Sequence, residues 1–373
     1  MFRRPLGVFV FFLIAPALLA QVSSVPAARL AHLRHGINLS EWFAQVYDPR
    51  GYTKEHFETW TTSADIALIK SAGFDHVRLS VNPQPMMDAE RRQGGMAEYF
   101  GYLDGAMKMI LDAGLAVELD MHPNSDFKAR LNEDDFVERF ADFWRTVAEH
   151  YSSWDSDRVF FEILNEPETR DPYRWYGVEA KLAAAIRQGA PSHTIIAAGA
   201  RWDDDDDMIF LEPLRDPNVI YVFHFYEPHI FTHQGATWGS YYWRWLKHLH
   251  YPSDPQNAAQ VAEKVPEAIH RLSVIRYGQD HWGPERVEAE INQAADWAKQ
   301  NHVPLVCNEF GVFRNADPQD RARWITDVRT SLERHEIGWA MWDYSGSFGV
   351  VTKKDNKAEL DATTVKALGL KMP

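Results

Sequence analysis

The sequence has very little cysteine, with only Cys307 in 373 residues. An intramolecular disulfide is therefore excluded, and no cluster of cysteine and histidine has the spacing of a structural zinc site. Basic residues are also scarce, because 39 lysines and arginines face 53 aspartates and glutamates, which gives a net charge of -14. This acidic balance argues against nucleic acid or an anionic polymer as a partner and suits a neutral ligand better.

Several other features are missing. No G-x-G-x-x-G loop follows the first predicted strand, which weakens a dinucleotide-binding interpretation. There is no fixed-period repeat and no linker rich in Pro, Gly or Ser, and low complexity is confined to five aspartates, Asp203 to Asp207. The sequence therefore predicts one domain with a core large enough to hold it without crosslinks.

The chain begins with MFRRPLGVFVFFLIAPALLAQ, in which two arginines precede an apolar run that ends in small residues. This order is typical of a secretory signal. A membrane anchor is the alternative, but the apolar run from Leu6 to Ala20 is short for a bilayer span and contains Pro16. We expect residues 1–27 to be a signal peptide with a short leader and residues 28–373 to form the catalytic domain. The mature protein is then secreted or periplasmic, without an integral membrane span.

Short β-branched runs alternate with segments of helical periodicity, which is typical of βα units around a parallel sheet. Phe136, Phe140 and Trp144 recur at a spacing of four, as Val287 and Ile291 do later in the chain. Eight such units favour an α/β fold of the closed (β/α)8 TIM barrel type over an open doubly wound sheet. The predicted strands are 35–40, 75–81, 116–122, 158–167, 194–199, 219–228, 304–311 and 337–346.

Aromatic residues are plentiful, at 13% of the chain with 14 tryptophans. Many belong to the predicted core, but flat aromatic faces also stack on the C–H faces of sugar rings. The connection from about 229 to 303 is the longest between predicted strands and is rich in them. We expect it to build one wall of a cleft. The candidates for sugar stacking are Trp42, Trp202 and Trp238.

Two glutamates, Glu166 and Glu309, follow the fourth and seventh predicted strands. The carboxyl ends of TIM barrel strands share one face, which carries the active site, and these two strands lie on opposite sides of it. Two facing carboxylates suit glycoside hydrolysis, where one protonates the leaving oxygen and the other meets the positive charge that develops on the sugar. Other polar or aromatic residues at strand ends are Arg78, His122, Asn165, His224, Tyr226 and Trp342.

Six segments in order, HVRLS, DMH, ILNEP, HFYEP, VCNEFG and WAMWDY, resemble the retaining β-glycosidases of glycoside hydrolase family 5. The resemblance covers about residues 35 to 346. It implies that Glu166 is the general acid/base and Glu309 the nucleophile, and that Arg78 and Tyr226 orient and charge-stabilise Glu309.

The resemblance also implies roles for the remaining strand-end residues. His122 and Asn165 hold the sugar at the cleavage point, His224 tunes the acid/base, and Trp342 forms the floor under that sugar. Physical reasoning adds that Glu166, facing a negative Glu309, has a raised pKa and stays protonated near neutrality. We expect the two carboxyl groups to lie about 5 Å apart, the separation of retaining enzymes.

The aspartate run is predicted to be a solvated loop or a helix start, because neighbouring acids without alternating ligand spacing do not converge on one cation. No metal and no cofactor are predicted. Asn38-Leu39-Ser40 matches an N-glycosylation site, but it lies on the first predicted strand and is expected to be buried.

The predicted function is that of a secreted, monomeric, retaining endo-β-1,4-glucanase that acts on cellulose or mixed-linkage β-glucan by double displacement. A β-mannanase or a xyloglucan-directed endoglycosidase is the alternative, because specificity depends on the loops. A barrel amidohydrolase would need an H-x-H pair on the first strand, which is absent. A carbohydrate-binding protein on an inactive barrel is disfavoured because both carboxylates are present.

Overall fold

The computed structural model describes residues 23–89, 95–354 and 357–373, with the backbone only for Asp205 and Met208. Most of the predicted signal and leader, residues 1–22, lies outside the described residues. Among the described residues, none of the helices combines the length and the apolar character that crossing a bilayer requires.

Eight parallel strands close into a barrel in sequence order, with the eighth paired to the first. The predicted (β/α)8 TIM barrel and all eight predicted strands are confirmed. The largest differences in bounds are in the fourth strand, which ends at Glu162, so that residues 163–167 leave the sheet, and in the eighth strand, which ends at Met341. The barrel strands are β1 (His35–Phe43), β2 (His76–Val81), β3 (Ala116–Met121), β4 (Val159–Glu162), β5 (Thr194–Ala198), β6 (Val219–Phe225), β7 (Leu305–Phe310) and β8 (Gly338–Met341).

Helices cover the outside of the barrel, and the two predicted amphipathic faces are confirmed. Phe136, Phe140 and Trp144 are buried on one helix, and Val287 and Ile291 on another. The helices are α1 (Ala27–Ala31), α2 (Lys54–Thr59), α3 (Ser63–Ala72), α4 (Gln84–Ala89), α5 (Ala97–Asp112), α6 (Ser125–Ala129), α7 (Asp134–Tyr151), α8 (Pro172–Gly189), α9 (Asp205–Met208), α10 (His229–Thr232), α11 (Pro255–Ala262), α12 (Ala268–Gln279), α13 (Pro284–Asn301), α14 (Pro318–Arg334) and α15 (Ala362–Ala367), with 3₁₀ turns at Arg130–Asn132 and Tyr241–Trp245.

Several helices begin at an Asp-Pro pair. Asp171 before α8, Asp254 before α11 and Asp317 before α14 each accept a hydrogen bond from a backbone N–H of the first turn. Proline follows each of them, where its missing N–H costs no hydrogen bond and its fixed φ suits the helix. The sequence thus sets the start of these helices locally.

The inside of the barrel changes from apolar to charged along the strand direction. Side chains two residues apart share one face of a strand, so Ala116, Glu118 and Asp120 of β3 all point the same way. Ala116 and Phe160 belong to an apolar layer near the N-terminal ends of the strands, whereas Glu118, Asp120 and Glu162 form a buried acidic layer nearer the C-terminal ends. The barrel thereby places its charged groups directly beneath the face where active sites lie.

One feature near the barrel was not predicted. A short antiparallel hairpin, β9 (Val351–Lys354) and β10 (Lys357–Leu360), follows the last barrel strand. Its strands are half exposed and contain no apolar run, so the sequence carries little strand signal there. The long connection after β6 contains α10 to α12 before α13, and its residues His229, His233 and Trp238 line a cleft at the barrel face, in agreement with the cleft-wall prediction.

Candidate active site

Glu166 and Glu309 face each other at the C-terminal end of the barrel. Glu309 lies on β7, and Glu166 lies four residues beyond the end of β4. One oxygen of each carboxylate and a ring nitrogen of His224 all lie within 4.8 Å of one another. Retaining glycosidases hold their carboxyl groups about 5 to 5.5 Å apart, whereas inverting enzymes leave a wider gap for a water molecule. The arrangement therefore matches the retaining geometry.

Both oxygens of Glu309 are held by hydrogen bonds. Arg78 Nη1 donates to Oε1 over 2.5 Å, and the Tyr226 hydroxyl donates to Oε2 over 2.9 Å. Burial, followed by the charge of Glu309, raises the pKa of Tyr226 well above its usual value, so the phenol stays a donor. The carboxylate is thus fixed in one orientation with a full cation beside it, which suits a nucleophile.

Arg78 is fully buried among acids of the barrel interior. Its Nε and Nη2 donate to the two oxygens of Glu162 over 2.6 and 2.7 Å, and Nη2 lies 3.2 Å from Asp120. Burial raises the pKa of Glu118, and the neighbouring Glu162 raises it further. Arg78 lowers the pKa of Glu162 despite its burial. Glu118 is therefore harder to ionise than Glu162, and Arg78 is the cation that holds the acidic layer together.

Replacing Arg78 with methionine is expected to lower the free energy of unfolding by about 3 to 5 kcal/mol, because it leaves buried carboxylates without their cation. Equilibrium unfolding in urea measures this. Arg145→Met is the matched control, since Arg145 is half exposed and, among the described residues, forms its ion pair with Asp142 on the surface. It should change the value by less than about 0.5 kcal/mol. Equal unfolding free energies for the two variants would contradict a structural role for the Arg78 cation.

Glu166 is held by groups from three other segments. His224 Nδ1 lies 3.2 Å from its Oε1, and Lys128 Nζ lies 3.9 Å from its Oε2. Its backbone N–H donates to Asp203 Oδ2 over 2.7 Å. The backbone of Glu166 is in the left-handed region, with φ of 46°, so the contacts of the loop have to maintain a conformation that L-residues rarely adopt.

The expectation of a raised pKa for Glu166 is wrong. Burial acts to raise it, but the hydrogen bond with His224 and the charges of Lys128 and His224 outweigh burial and lower the pKa of Glu166. Burial would lower the pKa of His224, yet the charge of Glu309 and the contact with Glu166 raise it to about 9. At neutral pH the proton of the pair is therefore on His224. The cation Lys128 lies just after β3, far in sequence from Glu166, which is why the sequence did not reveal it.

A cleft of about 650 Å³ opens over the two glutamates. Trp342 and His122 line it with nearly parallel rings, 5.5 Å between centroids and 13° between planes. Burial lowers the pKa of His122 to about 3, so the imidazole is neutral. Its Nδ1 donates to Asp120 over 2.8 Å, and Gln45 lies 3.3 Å from its Nε2. His122 is thus fixed beside the flat face of Trp342, as a sugar site requires.

Other predicted residues lie at or near the same face. Asn165 is buried next to Glu166, and its amide oxygen accepts from Arg78 over 2.9 Å. Trp238 is 48% exposed and lines the cleft. Trp202 is 57% exposed, and its backbone N–H donates to the carbonyl of Pro167 beside Glu166. The prediction that Trp202 stacks on sugar stays a prediction.

The assignment of Trp42 to sugar stacking is wrong. Trp42 is 2% exposed, and its indole N–H donates to the carbonyl of Phe57 over 2.8 Å. Strand β1 continues to Phe43, beyond the predicted end at residue 40, so Trp42 still lies on the strand and packs against Phe43 in the core. Asn38, on the same strand, is fully buried, as expected.

The aspartates of the run from Asp203 to Asp207 have different environments. Asp204 accepts from a backbone N–H at the start of α9, so the predicted helix start is confirmed. Asp207 pairs with Arg201. Asp203 is fully buried, contrary to the expectation of a solvated loop, because it turns inward against Glu166 and His224. In the part of the chain with described side chains, these acids do not converge on one point.

Sequence reasoning also missed several cleft residues. His229, His233 and Phe348 form a wall beside Tyr226, with Tyr226 and His233 rings 5.2 Å apart. The histidines follow β6 within the long aromatic connection, which was predicted as a cleft wall without naming them. Gln45 lies beyond β1 and had no distinguishing signal.

Comparison with known proteins agrees with this geometry. The family model described as cellulase, glycosyl hydrolase family 5, matches residues 41–347. Endoglucanase C of Acetivibrio thermocellus is 30% identical over 336 residues, which cover 88% of this chain and 96% of that protein. The structure of Thermotoga maritima Cel5A with cellobiose shares 26% identity with a TM-score of 0.70, over 91% of this chain and 98% of that one. A Thermotoga maritima Cel5A structure with a mannotriose substrate has the same identity, TM-score and coverage.

Proposed function

The chain belongs to glycosyl hydrolase family 5, the cellulase family, and we propose that it is a retaining endo-β-1,4-glucanase that cleaves cellulose or mixed-linkage β-glucan. The observation that carries this proposal is the pair Glu166 and Glu309, with carboxylate oxygens within 4.8 Å and Glu309 held by Arg78 and Tyr226. A pair at this distance suits double displacement, because no water fits between the attacking carboxylate and the sugar.

In the first step, Glu309 attacks the anomeric carbon while Glu166 gives a proton to the leaving oxygen, so a covalent glycosyl-enzyme forms and the glycosidic bond breaks. In the second step, Glu166 takes a proton from water, which attacks the same carbon and releases Glu309. The hydrogen bonds from Arg78 and Tyr226 to Glu309 set its direction of attack before substrate binds.

Binding of the sugar at the cleavage point is assigned to His122, Asn165 and Trp342. Trp342 presents a flat face to the cleft, and neutral His122 lies beside it with its tautomer set by Asp120. Trp238, which is exposed and also lines the cleft, is a second surface on which a glucose ring can stack.

Endo action on glucan is favoured by the open cleft and by the likeness to Endoglucanase C. A mannan-cleaving activity is the second candidate, because Thermotoga maritima Cel5A, which shares this fold at 26% identity, is described in complex with mannotriose. The loops that line the cleft decide between the two, since the residues at the cleavage point are shared.

The proposal also covers the location of the enzyme, its domain bounds, its substrate partner and its oligomeric state. The leader-like residues at the N-terminus support secretion or a periplasmic location, with residues 1–27 as signal and leader and residues 28–373 as the catalytic domain. The substrate partner is a neutral β-glucan, the chain acts as a monomer, and the double displacement needs neither a metal nor a cofactor.

Activity on a panel of carboxymethyl cellulose, mixed-linkage β-glucan, mannan and xyloglucan tests this proposal. We expect reducing ends to appear with the first two polymers and the early products to be oligomers of mixed length, because an open cleft binds mid-chain. Product sizes are measured by chromatography. Reducing ends released only from mannan would favour the second candidate, and glucose as the sole early product would contradict endo action.

A further inference from the structure

Asp203 lies behind the acid/base on the side away from the cleft. It is fully buried, and its Oδ2 accepts the backbone N–H of Glu166 over 2.7 Å. Its backbone carbonyl accepts the N–H of His224 over 2.7 Å. Its Oδ2 also lies 3.6 Å from His224 Nε2. One residue thus touches the two groups that share the catalytic proton.

His224 has acids on both sides of its ring. Nδ1 faces Glu166 at 3.2 Å and Glu309 at 3.6 Å, and Nε2 faces Asp203. Nε2 and Asp203 Oδ1 make no hydrogen bond among the described residues, although both are buried. Two acceptors that face each other in a buried place repel unless a proton lies between them. A doubly protonated His224 satisfies both sides, because each ring nitrogen then points a hydrogen at an anion.

We propose that Asp203 is a positioning residue that fixes the main chain of Glu166 and keeps His224 protonated, so that His224 stores the proton which Glu166 passes to the leaving oxygen. The inference rests on the proposed glycosidase function and adds to it the source of the proton. Asp203 touches neither the sugar nor the reacting atoms and acts only through its two neighbours.

The charges around His224 agree with this assignment. The pKa of His224 is raised to about 9 although burial opposes it, with Glu309, Glu166 and Asp203 as the causes. Burial raises the pKa of Asp203 well above its usual value although the charge of His224 opposes the rise, so the negative charge of Asp203 depends on a cationic His224 beside it. Other charged or titratable groups that influence the cluster are Glu162, Asp120, Arg78, Lys128 and His122.

The proton balance closes over one cycle. His224 gives its Nδ1 proton to Glu166, which passes it to the leaving oxygen as Glu309 bonds to the anomeric carbon. In the second step, Glu166 removes a proton from the attacking water and returns it to His224 as the bond to Glu309 breaks. No additional oxidant, metal or co-reactant takes part.

Asp203→Asn tests the proposal through the pH profile of kcat/KM on mixed-linkage β-glucan. The amide oxygen of asparagine can still accept from Glu166, and asparagine tolerates the left-handed backbone of Asp203, whose φ is 55°. The negative charge is lost, and one carboxylate oxygen becomes an NH2 group. We expect the basic limb of the profile to move down by about one pH unit or more, because His224 then holds its proton less tightly, while the acidic limb stays in place. A basic limb that stays or moves up overturns the proposal.

Two further variants distinguish the effect of the Asp203 charge from the effect of its hydrogen bond to the Glu166 main chain. Asp206→Asn removes a charge from an exposed position three residues away and should leave the profile unchanged. Asp203→Ala also removes the acceptor of the Glu166 N–H, so kcat at its own optimum should fall below that of Asp203→Asn. Equal kcat values for the two Asp203 variants would contradict the anchoring part of the proposal.

Labelling histidine with nitrogen-15 measures the protonation of His224 in the wild-type protein, so the result does not depend on whether an Asp203 variant folds. In the wild-type protein at neutral pH, NMR should show His224 with both ring nitrogens protonated, identified by loss of its signals in His224→Gln. A neutral His224 ring would overturn the proposal. Because this measurement needs no substrate, it is distinguishable from a failure of the proposed function, which would appear as equal inactivity of the wild type and Glu309→Gln on every glucan.

Discussion

Glu309→Gln is expected to lower kcat on mixed-linkage β-glucan by about four orders of magnitude or more, the usual scale for removal of a covalent nucleophile. The amide cannot bond to the anomeric carbon, and it also removes the negative charge that Arg78 and Tyr226 hold in position. Since the substitution changes one atom, substrate binding should persist and KM should change much less than kcat. Steady-state kinetics with purified protein measure both constants.

The matched control for this loss is Glu359→Gln, the same chemical change at an exposed position of the C-terminal hairpin. It should retain wild-type kcat. Thermal unfolding of both variants excludes misfolding as the cause of inactivity. A Glu309→Gln enzyme that keeps more than about one tenth of wild-type kcat would show that Glu309 is not the nucleophile.

Glu166→Ala is expected to slow the first step only for substrates whose leaving group needs a proton. With β-glucan, whose leaving oxygen needs a proton, kcat should fall by about 10³-fold, within the usual range of general acid catalysis. With 2,4-dinitrophenyl cellobioside, the leaving group departs without a proton, so the first step should remain fast. Release of dinitrophenol should then show a burst followed by slow turnover, because no base activates water in the second step.

Azide gives this second prediction a stereochemical readout. A small anion that enters the space of the missing Glu166 carboxylate should accelerate turnover and yield β-cellobiosyl azide, since it attacks the glycosyl-enzyme on the face that water would use. Glu309→Ala serves as the comparison and should yield the α-azide, if any, because azide then replaces the nucleophile. An α-azide from Glu166→Ala would mean that Glu166 is the nucleophile and Glu309 the acid/base.

Much of the fold followed from the sequence because the signals were local. Most barrel strands are short apolar runs with β-branched residues, and the helices at residues 134–151 and 284–301 carry their apolar faces at regular spacing. The pairing of Glu166 with Glu309 also followed, since a closed barrel brings the ends of β4 and β7 to one face. Geometry of the fold, rather than distance along the chain, decides which residues meet.

The features that could not be predicted from the sequence depend on where strands end and on contacts between segments far apart in the chain. Trp42 was misassigned because one strand continues a few residues farther than its pattern suggested. The lowered pKa of Glu166 depends on the hydrogen bond with His224 and on the charge of Lys128, which helix α6 after β3 brings to it. Asp203 is one of five consecutive aspartates, and only the fold distinguishes the buried one from its neighbours. Composition gave no basis for that distinction.

The groups beneath the site explain how one barrel gives two glutamates different roles. Arg78 connects Glu162 below with Glu309 above, which fixes the nucleophile beside a buried cation. His224 lies between Glu166 and Asp203 and carries the proton on the other side of the cleft. His224 Nδ1 lies 3.6 Å from Glu309 Oε2, so the groups around Glu166 are in contact with the groups around Glu309. Formation of the glycosyl-enzyme removes the charge of Glu309 and so releases the proton when it is needed.

The central claim is that Glu309 forms a covalent bond to the sugar while Glu166 faces it across the same linkage. Trapping with 2,4-dinitrophenyl 2-deoxy-2-fluoro-cellobioside, followed by mass spectrometry of the digested protein, tests it directly, because the fluorine slows the second step and lets the intermediate accumulate. We predict one added fluorocellobiosyl group, located on the peptide that contains Glu309. A label on Glu166, or an unlabelled enzyme that turns over β-glucan to α-configured products, would contradict the account.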